Sequence, residues 1–460
     1  MTTYSAVRTT GIYCRPGCGA KPLAENVQTF ELAAAAEAAG FRACLRCRPY
    51  RVAGTVADEA PELVCRAVQL IIAGVLDAAG EAALAARIGV SARHLRRMFH
   101  EHLGVTPDQF ARSRRAHFAR RLLDDSDLGI AEVAFASGFG SLRQFNRAMR
   151  EVFRASPKEL RDRRRKTDRL TADGGLVLRL PFTTPYDWEA MSAFLKANAI
   201  PGVESVEDGT YRRTITLDGE PGLLEIGPGG PDHLLLQAHL PFWEGVIHVV
   251  DRAARLVGLE TDTSTARQFL STDPEIGPLV AARPGIRVPG AWGPFEAAVQ
   301  AIVRNPPAPD EVGGPRDQGA VRREPGRAHE VSGEVVRGVG DADEVLRKIV
   351  EVYGIAVPGL GFGLTHLFPG AEALRGVEPV AGLAREVAEG NLELECRSPE
   401  ELGRRLEQVD GVSRRAAQLV VMRLGGRDAW PLEGDAGHLS PWRSLAAFHL
   451  GQSVVGAGLE

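Results

Sequence analysis

Four of the six cysteines crowd into 34 positions near the start of this chain: Cys14-Arg-Pro-Gly-Cys18 and, after 25 intervening residues, Cys44-Leu-Arg-Cys47. Two close thiol pairs joined by a loop are the donor arrangement of a tetrahedral zinc site, around which the intervening chain must fold. The opening MTTYSAVRTTG lacks the apolar segment of a secretory leader, so the cytoplasm is the expected compartment and disulfides are disfavoured. The expected cofactor is therefore Zn2+, held by Cys14, Cys18, Cys44 and Cys47. Cys65 and Cys396 stand apart and are expected to be buried thiols.

A chain of 460 residues exceeds one ordinary core, which predicts roughly two to four domains. No run of about 18 uncharged apolar residues occurs, so no membrane span is expected. The net charge of −4 conceals a split: residues 1–170 carry 28 Lys+Arg against 18 Asp+Glu, the remainder 27 against 41. A basic first part suggests a polyanionic partner, against the plainer alternative of a solvated arginine-rich surface.

Periodicity places a short Ala-rich helix over Glu31–Ala39, stopped by Gly40, and a helical region from Ala60 to Arg165. Within it, residues 81–99 read as helix, Gly89 turn, N-cap Ser91 and second helix. Leu95, Met98 and Phe99 face inward there; Arg93, His94, Arg96 and Arg97 face out. The arrangement recurs over residues 130–147, with its turn at Gly138–Gly140 and N-cap Ser141. Leu142, Phe145 and Met149 are expected inward, with Arg143, Gln144, Asn146 and Arg147 outward. Arg, Gln and Asn at the start of such a helix can read base edges and hold phosphates in a major groove. Ser156-Pro157-Lys158-Glu159 is a capping box that starts a closing helix.

From Leu176 the texture changes to strand-like alternation, with a helix near Trp188–Asn198 and strands at Tyr211–Leu217, Gly222–Ile226 and His233–Ala238. From Phe242 the chain is mainly helical. Residues 304–340, rich in Pro, Gly and charge, have the composition of a disordered insert, or of an altered reading frame.

The segments VRTTGIYCRPGC, ENVQTF and AAAAEAAGFRACLRCRP, between Val7 and Pro49, resemble the zinc domain of Ada-type proteins, which repair methylphosphotriesters in DNA. The resemblance implies that Cys14 accepts the methyl group, irreversibly; the cations beside it, Arg15, Arg42, Arg46 and Arg48, are expected to hold the phosphate strand. Four thiolates on one Zn2+ carry a net charge near −2, so methylating one weakens repulsion from DNA and tightens binding. The zinc motif starts closer to the N-terminus than is usual in that family; either the start is misassigned, or the domain is trimmed and weaker DNA binding is expected. Leu63 to Arg164 resembles the AraC-type DNA-binding domain.

The second half resembles AlkA-like DNA glycosylases, through RPGIRVPGAWGPFEAAVQAIV, GFGLTHLFPGAEAL and the tail from Pro441 to Leu450. That family flips an alkylated base from the duplex and breaks its glycosidic bond, using an Asp to stabilise the cationic sugar. By position this is Asp435, with Glu433 as its rival. Several features depart from the pattern: Ser413 in the hairpin Gly411-Val412-Ser413, Asp410 just before it, Arg415 and Leu419 after it, and Arg304-Asn305-Pro306-Pro307 after Val303. They predict poor DNA binding by this half. No lysine follows Lys348, so any activity is expected to be monofunctional.

The expected fold is multidomain and mainly α: a zinc-bound α/β domain over 1–55 and an all-α double helix-turn-helix over 60–165, followed by an α/β subdomain over 174–245 and a helix-hairpin-helix glycosylase-like domain over 246–460. The expected function is a DNA alkylation-damage response, in which methylation activates a regulator fused to a 3-methyladenine glycosylase-like domain. Double-stranded DNA is the expected partner, RNA polymerase a further one, and the nucleoid the expected place. Two alternatives stand. One is a ligand-sensing AraC-type regulator with structural zinc and an inactive C-terminal half; the other is a glycosylase for which the N-terminal module is only a tether.

Overall fold

The computed structural model describes residues 3–15, 18–20, 22–51, 61–165, 168–170, 175–260, 263–307, 342–394 and 398–456. Cys396 and residues 308–341, nearly all of the Pro/Gly-rich insert, lie outside them.

Near the N-terminus, strands β1 (Tyr4–Val7), β2 (Ile12–Cys14), β3 (Val27–Phe30) and β4 (Arg42–Ala43) form a sheet in the order β3-β1-β2-β4. β2 runs antiparallel to β1 and parallel to β4. Helix α1 (Ala33–Ala38) buries Ala34 and Ala36, side chains small enough for a close approach.

A helical body follows: α2 (Glu62–Ile72), α3 (Val75–Ala78), α4 (Glu81–Arg87), α5 (Ala92–Leu103), α6 (Pro107–Asp125), α7 (Ile130–Ala136), α8 (Leu142–Phe153) and α9 (Pro157–Asp162). The pairs α4–α5 and α7–α8 are the two helix-turn-helix units. Gly89 and Gly138 turn them at φ 76° and 77°, a region glycine enters without a Cβ penalty. Ser91 and Ser141 accept the N–H of His94 and Gln144 and so start α5 and α8. Helix α6 is the spine between the units, packed on several sides, which is why it buries Arg120, Asp124 and Asp125 alongside Phe118, Leu122 and Leu123.

The next layer holds β5 (Leu176–Pro181), α10 (Trp188–Ala197), β6 (Glu204–Glu207), β7 (Thr210–Leu217), β8 (Glu220–Gly230) and β9 (His233–His239). The sheet order is β5-β9-β8-β7-β6. The alternation at β5, β7 and β9 is legible in the sequence. The edge strand β6, Glu-Ser-Val-Glu, is not, because an edge needs no alternating apolar face. β8 extends beyond the expected Gly222–Ile226 by way of a bulge at Pro228/Gly230. Helices α11 (Val246–Leu256), α12 (Ser264–Leu270) and α13 (Ile276–Ala282) complete the first compact unit, residues 1–196 with 206–289.

The second unit, residues 197–205 with 290–460, is mainly helical. It contains α14 (Pro294–Arg304), α15 (Ala342–Tyr353), the small hairpin β10 (Ile355–Ala356) and β11 (His366–Leu367), α16 (Ala381–Ala388), α17 (Pro399–Leu406), α18 (Arg414–Arg423) and α19 (Arg443–Gly456). The hairpin between α17 and α18 is formed despite Ser413. Gly411 turns at φ 84°, where a Cβ would lie 2.9 Å from the Pro379 carbonyl. Ser413 is buried; its Oγ accepts Ala416 N–H at 3.1 Å and donates to Asn305 O at 2.7 Å. The hydroxyl that departs from the family's glycine is thus used as a helix cap. No described helix is long and apolar enough to cross a membrane.

Candidate metal centre and nucleic-acid interface

Two parallel strands deliver the first sulfurs. Cys14 ends β2 and Cys44 follows β4 directly. With Tyr13 paired to Ala43, and Cys44 N–H bonded to Tyr13 O at 3.0 Å, both chains leave the sheet side by side. Local turns return the others: Cys18 N–H bonds Arg15 O at 3.3 Å, and Arg48 N–H bonds Cys44 O at 3.0 Å. The four Sγ atoms lie within 4.8 Å of one another. Tetrahedral Zn–S bonds of about 2.3 Å require sulfurs about 3.8 Å apart, so the donor set fits the ion with small adjustment. Burial, then the neighbouring Cys44 and Cys47, push the Cys14 thiol up; burial pushes Cys47 up to about 12. Burial opposes the Cys44 thiolate too, yet the N–H groups of Cys47 and Arg46 outweigh it and hold that thiol below its ordinary range. Sulfurs so close together ionise jointly only around a cation.

Cys14 is buried while Cys18, Cys44 and Cys47 are half-buried. Around them Arg15 and Arg46 are exposed, and Arg42 is half-buried with Nη1 donating to Ala43 O. Arg48 corrects the expectation of a phosphate contact. It is 8% exposed, in the left-handed region at φ 49°, and its Nη1 meets Asp168 at 2.7 Å and Asp124 at 3.7 Å. It is an internal strut, and its motif position gave no sign of that.

On α5, Arg93, Arg96 and Arg97 are exposed and His94 half-buried, while Leu95, Met98 and Phe99 are buried. Arg97 contacts His94 at 2.9 Å and Arg96 pairs with Glu81. On α8, Arg143, Gln144 and Arg147 are exposed and Asn146 half-buried, its Nδ2 bonding Leu142 O. Arg147 pairs with Glu151 at 2.8 Å. Leu142, expected inward, is 42% exposed. As the first residue of α8 it precedes the turn that packs, leaving an apolar side chain of the kind that meets thymine methyls. In the second unit Asp435 and Glu433 are both exposed, and Asp435 Oδ1 accepts Gly437 N–H at 2.9 Å.

Sequence reading also missed two groups. Tyr13 Oη donates to Glu37 Oε1 at 2.6 Å, and His117 Nε2 lies 2.5 Å from that same oxygen. His248 Nε2 lies 2.5 Å from Asp77 Oδ2 and its Nδ1 3.0 Å from Ile72 O. These partners are 24 to 176 residues apart, beyond the reach of any local pattern.

A four-sulfur zinc centre in one body with two capped helix-turn-helix units defines a zinc-containing DNA-binding protein. Comparison with known families agrees. The metal binding domain of Ada matches residues 2–50, a helix-turn-helix domain matches 84–163, and the AlkA N-terminal domain matches 177–293. A Mycobacterium tuberculosis protein named probable bifunctional transcriptional activator/DNA repair enzyme AlkA is 32% identical over 97% of this chain and 91% of its own length. The Escherichia coli bifunctional transcriptional activator/DNA repair enzyme Ada is 33% identical over 34% of this chain and 43% of its own. The Escherichia coli DNA-3-methyladenine glycosylase 2 is 32% identical over 27% and 42%. This chain belongs to the family of bifunctional transcriptional activator/DNA repair proteins that join an Ada-type zinc and helix-turn-helix module to an AlkA-type domain.

Proposed function

We propose that the zinc centre is a one-use methyl acceptor whose product state activates the regulator. The Cys14 thiolate attacks the methyl carbon of a methylphosphotriester. A C–S bond forms, the C–O bond breaks, and its electron pair leaves with the phosphate oxygen as an ordinary phosphodiester anion. Cys14, Cys18, Cys44 and Cys47 would hold Zn2+, which would keep the Cys14 sulfur deprotonated yet nucleophilic. Arg15 and Arg46 hold the backbone beside it, while Arg93, Arg96, Arg97, Arg143, Gln144, Asn146 and Arg147 hold or read the duplex. The observation that carries this reading is the cluster of four sulfurs within 4.8 Å, in one body with two capped helices that present arginines. As an activator at promoters the chain would work on the nucleoid and touch RNA polymerase.

The test is mass spectrometry of the zinc-loaded chain after exposure to methylated DNA. One added methyl, mapped to Cys14, is expected. An unmodified cluster with zinc retained removes the repair role. The burial of Cys14 favours that second reading, a closed structural site in a regulator whose effector binds elsewhere.

In the second half we assign Asp435 as the carboxylate facing the cationic sugar of an alkylated purine nucleotide, in a monofunctional reaction. Release of free 3-methyladenine from methylated DNA, lost in Asp435→Asn, supports this. Release that persists in that variant moves the role to Glu433.

A further inference from the structure

The residues flanking the first and last sulfur ligands both grip the same helix. Tyr13 precedes Cys14. Its hydroxyl, fully buried, donates to Glu37 at the end of α1, and the same carboxylate oxygen takes His117 of α6, with Tyr13 Oη 3.1 Å from His117 Nε2. Arg48 follows Cys47 and, with Tyr50, meets Asp124 of α6, the Tyr50 hydroxyl donating at 3.0 Å. Positions 117 and 124 are seven apart, two turns of helix, and so share one face of the spine.

That face leads to the second recognition helix. The His117 ring lies 5.7 Å from Phe153, the last residue of α8, and Tyr50 packs edge-on against Phe153 at 5.8 Å. Arg154, which ends α8 in the left-handed region, donates to Gly40 O just after α1. A methyl group added at buried Cys14 must displace its neighbours, because close-packed interiors pass small shifts on rather than absorb them. β2 is held between β1 and β4, and Tyr13, next to Cys14 in that strand, is the residue that joins it to Glu37 and His117.

We propose that Tyr13, Glu37, His117 and Phe153 form a relay that reports the state of Cys14 to α8, with His117 as its positioning residue. The inference rests on the acceptor reading, but its test does not depend on the natural donor. The full-length zinc protein is methylated with methyl iodide, the methyl is mapped, and amide hydrogen exchange is followed along α6 and α8. In the native chain, methylation at Cys14 changes exchange near residues 150–154 by about fivefold or more, the lower end of ordinary coupling. In His117→Leu the zinc and methyl stoichiometry stay the same and that change disappears; His117→Gln, which can still donate to Glu37, restores it. Methylation at Cys14 with no response at α8, or an equal response in His117→Leu, overturns the relay and leaves the acceptor role intact. A relay that responds to methyl iodide while methylated DNA leaves Cys14 untouched upholds the relay and sinks the repair reading.

Discussion

Arg46 and Arg48 stand either side of Cys47, yet they do different work. Arg46 is exposed beside the sulfurs; Arg48 is folded under them against Asp168 and Asp124. Arg48→Ala takes the close cation from Asp168, while Asp124 keeps its pair with Arg120 at 2.6 Å, and loss of one partner of a buried pair typically costs about 3–5 kcal/mol. Urea unfolding should therefore show a lower midpoint for this variant, with the salt dependence of DNA binding unchanged. Arg46→Ala should do the reverse, keeping its stability and lowering the slope of log K against log salt by about 1. A stable Arg48→Ala protein with a reduced salt slope would return Arg48 to the DNA surface. The Cys spacing showed in the sequence which residues could ligate, because ligation is a local demand on four side chains. It did not show which neighbouring arginine turns inward, because Asp124 and Asp168 arrive from positions far along the chain.

The recognition helices were legible as elements because their signals are local: a cap, a turn glycine and apolar positions three and four apart. Ser141→Ala should destabilise the first unit by about 1 kcal/mol, read as a shift in its thermal midpoint, and weaken DNA binding with it. An unchanged midpoint would mean that tertiary packing alone holds the start of α8. The contact between α3 and α11 was not legible. Both ring nitrogens of His248 face acceptors, Asp77 and Ile72 O, an arrangement completed only by the imidazolium. Burial opposes that charge, but the Asp77 bond outweighs it and raises the His248 pKa above 6.5. Asp77 is likewise penalised by burial, and the bond to His248 with the Arg115 charge holds it below 3.8. The histidine's contribution is complete below 6.5 and fades as pH rises through its raised value. The aspartate's contribution is present above 3.8 and fades as pH falls through its lowered one. Thermal stability of the first unit should therefore decline from weakly acidic toward alkaline pH. His248→Gln should flatten that decline, and an identical slope in the variant would remove this pair from the pH response.

At the scale of the whole molecule, the zinc domain and the helical body should melt as one unit, because the Tyr13–Glu37–His117 group and the Arg48–Asp124 pair cross between them. Removing zinc with a chelator should lower the melting of the entire first unit rather than of residues 1–50 alone. Calorimetry showing a helical body that melts unchanged without zinc would break that link. What the amino-acid order determined unaided was the set of parts: a thiolate site, two capped helix-turn-helix units, an alternating sheet and a helical second half. Each of these follows from spacing within a few dozen residues. Tertiary structure alone decided the inward turn of Arg48, the outward face of Leu142, the rescue of the hairpin by Ser413, and the pairing of His117 with Glu37 and His248 with Asp77. Those outcomes depend on which charges and rings distant segments bring into a common low-dielectric interior, where a partner's position, and not the residue's own neighbours in the chain, sets the energy.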